Sequence, residues 1–297
     1  MPRIKYKDFN FSAATLALIE TCNRIIADYT AQGFRLTLRQ LYYQLVSRDV
    51  IPNKQTEYKR LGSIVNDGRL AGLIDWAAIE DRTRNLEKLS AWKNPAEIVQ
   101  TCAQQFHVDM WVDQSYRPEV WIEKDALVGV IEGVCNELDV PFFSCRGYTS
   151  QSEMWVGAMR LNRYAGLQQT PVIFHLGDHD PSGKDMTRDI QDRLRLFMGG
   201  VKLERLALNM DQVEQYNPPP NPAKTTDSRY AGYIAEFGRE SWELDALEPT
   251  VLAALIRTAV ERLIDRRKWN ARLRYKKESR KQLAAVAAKW ISICEEL

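Results

Sequence analysis

Pro171-Val172-Ile173-Phe174-His175-Leu176-Gly177-Asp178-His179-Asp180 is an apolar run that ends abruptly in charge. Residues 171–176 are apolar apart from His175 and show no polar alternation, the pattern of a strand buried on both faces. A helix is expected to follow from Ser182 to about Phe197. Upstream, Glu119-Val120-Trp121-Ile122 reads as a first strand and Lys124 to Leu138 as its helix. Val140-Pro141-Phe142-Phe143-Ser144 is a second strand, followed by a helix from Ser150 to Tyr164 with Met154, Trp155, Ala158 and Leu161 on one face. Strands alternating with helices predict an α/β fold, a parallel sheet covered on both sides.

In an open parallel sheet, ligands bind beyond the carboxyl ends of the strands. Glu123 follows the first strand, and Asp178 and Asp180 follow the third, so three carboxylates are expected on one rim. Oxygen donors without a Cys or His cluster suit a hard cation, Mg²⁺ or Mn²⁺, which completes its shell with water and phosphate oxygens. Extended backbone would set both aspartates on one side and His179 on the other. A plainer reading makes Asp180-Pro181-Ser182-Gly183 a helix-capping turn and Glu123 an N-cap neighbour. The run Gly177 to Lys184-Asp185 is no phosphate loop, because its glycine spacing is too long and Asp185 stands where Ser or Thr belongs.

The first part of the chain is helical in pattern. Ser12 can cap a helix to Gln32, with Leu16, Ile19, Ile26 and Tyr29 as its apolar stripe and Gly33 as its stop. Thr37 caps a second helix, Leu38 to about Arg48, striped by Leu38, Leu41, Tyr42, Leu45 and Val46. After a turn at Pro52-Asn53, Thr56 opens a third helix to about Asn66, with Tyr58, Leu61 and Val65 inward. Asp67-Gly68 and Gly72 then mark a hairpin or wing. Such a series predicts a winged-helix module whose third helix enters a DNA groove. Asn94-Pro95 starts a further helix within a connecting segment, Asn217 to Pro222 is an extended loop, and two helices from Glu248-Pro249 close the chain. The expected domains are 1–110 and 117–297.

The composition is that of a globular chain, 45% hydrophobic and 27% charged. No apolar run is long enough to span a bilayer, and the basic start lacks a signal peptide's apolar stretch, so a cytoplasmic protein is expected. Cys22, Cys102, Cys135, Cys145 and Cys294 form no C-x-x-C pair, which argues for reduced thiols and against structural zinc. The net charge of +2 conceals a cluster: Arg266 to Lys281 contains nine Lys or Arg and one acid, Glu278. That run suits phosphate contact or a solvated helix face.

Trp121-Ile122-Glu123-Lys124-Asp125-Ala126-Leu127 and Leu176-Gly177-Asp178-His179-Asp180-Pro181-Ser182-Gly183 resemble the two signature motifs of the Toprim domain of topoisomerases, primases and some nucleases. Their form is most similar to that of the A subunit of topoisomerase VI and its meiotic double-strand-break relative. Arg39-Gln40-Leu41-Tyr42-Tyr43 is similar to that family's catalytic-tyrosine motif, carried on a winged-helix domain ahead of the Toprim domain. The resemblance covers most of the chain, and its size is that of the compact mini-A homologues of phages, plasmids and bacteria. Glu243-Leu244-Asp245-Ala246-Leu247 resembles a late acidic element of the family.

What the resemblance implies is specific. Tyr43 is the nucleophile that forms a 5′-phosphotyrosyl link, and Glu123, Asp178 and Asp180 hold the metal. The tyrosine of one protomer works with the metal of another, so a homodimer on double-stranded DNA is implied, with a separate ATPase B subunit as a further partner. Helix geometry agrees on one point. Tyr42 lies in the apolar stripe, whereas Tyr43 is about 100° further round, on the flank of Arg39 and free to react. Arg39 would stabilise the phenolate or the phosphate, and Lys124 is a further phosphate contact or a surface charge. Two rivals stand beside this expectation. One is a metal-dependent nuclease using water, and the other a DNA-binding partner protein with a vestigial site. A primase lacks support without a zinc-type cysteine set.

Overall fold

The computed structural model describes residues 3–79 and 89–290. It opens with α1 (Ala13–Ala31), capped by the Ser12 hydroxyl, which accepts from the Thr15 amide at 3.2 Å. Next is α2 (Leu38–Ser47), where the Thr37 side chain and Gln40 form a reciprocal capping box. The third helix, α3 (Gln55–Leu70), starts one residue before Thr56 and runs through Asp67-Gly68. Gly68 does not break it, because that position needs a small residue rather than a turn: a Cβ there would sit 3.0 Å from Ile74 Cδ1. The three helices share a core that includes Ile19, Ile25, Leu41, Leu45 and Leu61.

The expected wing differs. Residues 71–79 return to the bundle through two isolated bridges, Lys5 with Ala71 and Leu36 with Ile79, and no paired hairpin forms there among the described residues. Residues 80–88 lie outside them. The connecting segment carries α4 (Pro95–Gln105), capped by the Asn94 side chain.

The sheet follows. Strand β1 (Tyr116–Ile122) leads through a 3₁₀ turn at Asp125–Leu127 into α5 (Val128–Glu137), so the helix expected from Lys124 starts later. Strand β2 (Phe142–Ser144) leads to α6 (Gln151–Gly166), and β3 (Thr170–Leu176) to α7 (Pro181–Met198). A fourth strand, β4 (Lys202–Ala207), was not anticipated, since Lys202-Leu203-Glu204-Arg205 lacks the apolar run of an inner strand. It lies at the sheet edge, where one flank needs no partner. The order is β2-β1-β3-β4, all parallel.

Alternation along the strands sorts the side chains into two cores. Val120, Ile122, Val172, Phe174 and Leu176 face α5 and the later α10 (Pro249–Glu261). Trp121 and Ile173 face α6 and α7, against Met154, Ala158, Leu161, Ile190 and Leu194. The protein is therefore mixed α/β, a parallel sheet flanked by helices. Before α10 come α8 (Met210–Tyr216), β5 (Asn221–Pro222), α9 (Tyr230–Phe237) and β6 (Glu240–Ser241), with β5 and β6 antiparallel. The expected loop at 217–222 thus ends in a short strand. The last helix, α11 (Arg266–Ala288), packs along α4. Cys22, Cys102, Cys135 and Cys145 are free thiols, and Cys294 lies outside the described residues. Among the described residues no helix is long and apolar enough to cross a membrane.

Candidate active site at the carboxyl end of the sheet

The strand order turns one way after β1, to β2, and the other way after β3, to β4, so a crevice opens where β1 and β3 run side by side. Ile122 is level with Leu176, and Glu123 donates its amide to Leu176 O at 2.8 Å. The two acidic motifs therefore leave the sheet as neighbours. Glu123 Oε2 accepts from the Asp178 amide at 2.9 Å. A Cβ on Gly177 would stand 2.9 Å from that same oxygen, so the glycine leaves room for the carboxylate.

Asp178 and Asp180 both line one cavity, and His179 turns away between them, as extended backbone requires. His179 is buried, bridged through its backbone to Trp242 and hydrogen-bonded through Nδ1 to Tyr233 Oη at 2.9 Å. Asp180 caps α7 through Oδ1, which accepts from the Gly183 amide at 2.6 Å. The capping role and the cavity position thus coexist. A Cβ at Gly183 would lie 2.3 Å from Asp178 O, so this loop closes only over glycine.

Lys124, first read as a phosphate contact or a surface charge, is mostly buried at the centre of the acids. Its Nζ pairs with Asp178 Oδ1 at 2.7 Å, with Asp245 Oδ2 at 3.2 Å, and with Glu243. Burial opposes its charge, but Asp178, Asp245 and Glu243 together raise its pKa. Asp178 also accepts from the Leu244 amide at 2.7 Å. Burial pushes Asp178 and Glu123 upward. For Asp178, Glu123 and Glu243 add to the shift and Lys124 opposes it; for Glu123, Asp180 adds to it.

The N-terminal helices complete the site. Arg39, on α2, reaches Glu243 Oε2 at 2.5 Å, and its Nε stands 2.7 Å from Asp245 Oδ2 without a hydrogen-bond angle. Tyr43 lies one turn further on and is not free at the surface. It is 4% exposed, as is Tyr42, and the two rings meet edge to face at 5.2 Å. A helical wheel sees one helix, whereas the β5 segment covers Tyr43 from outside it. Asn221 Nδ2 donates to the Tyr43 hydroxyl at 3.4 Å. The Arg39 guanidinium stands 5.8 Å from the Tyr43 ring centre. Burial and Glu243 raise the phenol's pKa, against Asn221, Arg39 and Lys124. Tyr43, Arg39, Asp178, Asp180, Asn221 and Glu243 line a cavity of about 460 Å³.

Sequence reading missed two contributors. Arg205, on β4, is partly buried among these groups and donates to Asp178 O at 2.5 Å, Gly177 O at 3.1 Å and Gly183 O at 2.8 Å. Burial brings its pKa down to about 10, against Glu123, Asp178 and Asp180. Its only signal was a lone arginine in a segment that showed no strand pattern. Asn221 sat in a proline-rich loop and gave none.

The donor chemistry is that of a hard cation. Among the described residues, however, no group of three His, Cys, Asp or Glu is gathered to hold one ion. Asp178 is committed to Lys124 and the Leu244 amide. Glu123 and Asp180 each keep one oxygen without a hydrogen bond among the described residues. That fits the way Mg²⁺ binds, through one or two carboxylates plus water and substrate phosphates, better than a closed three-carboxylate cage. Compared with known proteins, the chain matches no family model, no curated protein and no solved structure.

Proposed function

We propose that the chain is a DNA-cleaving transesterase of the topoisomerase VI A type, with Tyr43 as nucleophile. The supporting observation is one cavity in which a tyrosine and an arginine from the helical unit meet carboxylates from the sheet. In this reading the N-terminal helices are a winged-helix domain, the sheet is a Toprim domain, and α3 presents Lys59, Arg60, Ser63 and Asn66, all exposed, to a DNA groove.

Tyr43 Oη attacks a backbone phosphorus and forms a phosphotyrosyl ester as the bond to the 3′-oxygen breaks. The phenolic proton passes to water in the cleft, and the departing 3′-oxygen takes one up. A buried phenol with a raised pKa is a poor nucleophile, so the incoming phosphate must bring Arg39 to bear on the phenolate. Lys124 and Arg205 orient Asp178 and its loop. Glu123, Asp178 and Asp180 would hold a Mg²⁺ or Mn²⁺, which would neutralise charge on the phosphate. The resemblance adds a homodimer and a separate ATPase subunit to this proposal.

The buried phenol gives a second reading its footing, a nuclease in which water attacks and Tyr43 only packs. One experiment separates the two. Wild type incubated with supercoiled plasmid and Mg²⁺ or Mn²⁺ should leave a protein-linked 5′ end on a denaturing gel, and Tyr43→Phe should leave none. Cleavage that persists in Tyr43→Phe without an adduct selects the water nuclease. Absence of any adduct from the wild type removes the transesterase.

A further inference from the structure

The first half of α11 is fastened beneath the amino end of β1. Asp265 and Gln114 exchange hydrogen bonds at 2.8 and 3.3 Å, Arg272 donates to Asp109 O at 3.0 Å, and Lys268 donates to Asp113 O at 2.7 Å. Trp269 meets Trp111 edge to face at 5.6 Å. Further along, Arg280 donates to Phe106 O at 2.8 Å. These contacts fix which side of the helix faces inward.

Four of the remaining bases, Arg267, Arg274, Lys277 and Lys281, fall on the opposite side, with Asn270 among them, whereas Lys276 lies on the inward side and Arg266 pairs with Glu261 at 3.1 Å. At 100° per residue, Arg267, Asn270, Arg274, Lys277 and Lys281 lie within about 80° of arc, spaced three and four apart, over roughly 21 Å of helix. All five are exposed. Among the described residues no acid pairs with the side chains of Arg267, Arg274 or Lys277, and Lys281 only approaches Glu278 at 3.8 Å. The exposed apolar side chains of the helix, Leu273, Tyr275 and Val286, lie off this stripe. Carboxylates of the candidate site stand at the other end of β1, about 20 Å away along the strand.

We infer that this face of α11 is a second nucleic-acid surface, one that grips the phosphate backbone of duplex DNA without reading its sequence. The chemistry selects that occupant. Binding of single strands relies on aromatic platforms between the bases of the groove, and the stripe carries none. Docking of a folded acidic protein needs an apolar centre, which is also missing. A row of four long cations, with Glu278 the one acid at its edge, matches a duplex, whose phosphates are dense and uniform. The choice of DNA over RNA rests on the proposed function.

Binding of a short fluorescent duplex by the full chain tests this surface, read by anisotropy over a salt series. A combined variant, Arg267→Gln, Arg274→Gln, Lys277→Gln and Lys281→Gln, should bind about tenfold or more weakly near 100 mM salt, and its salt slope should be shallower by roughly 3 to 4. Glutamine is a good helix former, so its circular dichroism should match wild type. Arg267→Lys with Arg274→Lys should retain affinity, because phosphate gripping needs charge rather than a fork. Stripe-dependent binding with no covalent adduct in any form would leave this surface standing while the cleavage reading fell. An unchanged affinity and slope in the combined variant would overturn it, as would polyglutamate, single strands or duplex RNA competing as well as duplex DNA.

Discussion

Tyr43 shows how far a single residue can be read from its neighbours in sequence. Its position one turn after Arg39, off the apolar stripe, set it apart from Tyr42 in the sequence, whereas in the structure both tyrosines line the same cavity with Arg39 and are equally buried. Its burial was not legible, because the covering residue, Asn221, comes from a segment far along the chain. His175 is a second case. In the sequence it interrupts an apolar strand; in the structure it is fully buried, with Nδ1 2.9 Å from Thr187 Oγ1. Burial, with Arg205 adding, brings its pKa down to about 3 from an ordinary 6.5. The unfolded chain takes up a proton near pH 6.5 and the folded chain does not, so stability is present above that pH and is lost as pH falls toward 3. The loss due to this residue alone is about 2 kcal/mol by pH 5. Urea midpoints of wild type and His175→Gln, compared at neutral pH and near pH 5, check this; parallel pH dependence in the two proteins would contradict it.

At the scale of elements, the signals that succeeded were those with one dominant cause. Uninterrupted apolar strands and well-capped helices were visible because burial on both faces and orphan backbone amides leave local marks. The strand β4 was not, since an edge strand alternates with solvent and this one carries three charges, Lys202, Glu204 and Arg205. The glycines of the 177–183 loop were read as motif members, and the structure supplies their physical reason. Gly183 lets the first turn of α7 close onto Asp178 O, where a Cβ would lie at 2.3 Å. Gly183→Ala should therefore push the helix and the Asp178 loop apart and lower stability by about 2 kcal/mol or more. Thermal unfolding against Gly166→Ala, which has open space at its Cβ, provides the comparison. Equal midpoints for the two would show that the loop yields without strain.

Over the whole molecule, the helical unit and the sheet unit are joined by charge as well as by packing. Arg39 reaches across to Glu243 and Asp245, and Lys124 meets the same two acids from below. A double-mutant cycle with Arg39→Ala and Asp245→Asn should show coupling of about 1 to 2 kcal/mol in urea unfolding, reduced from a fully buried pair because Arg39 is partly solvated. Coupling near zero would mean that the units are held by their apolar contacts alone. This seam was only half legible: the acidic segment at 243–245 stood out by resemblance, but its partners did not. The same seam sets the terms on which anything enters. The guanidinium that would greet a phosphate is already engaged by two carboxylates, so entry is an exchange of anions at Arg39. In the proposed reaction the carboxylates it released would be left to Lys124, the cation they already share with Asp178.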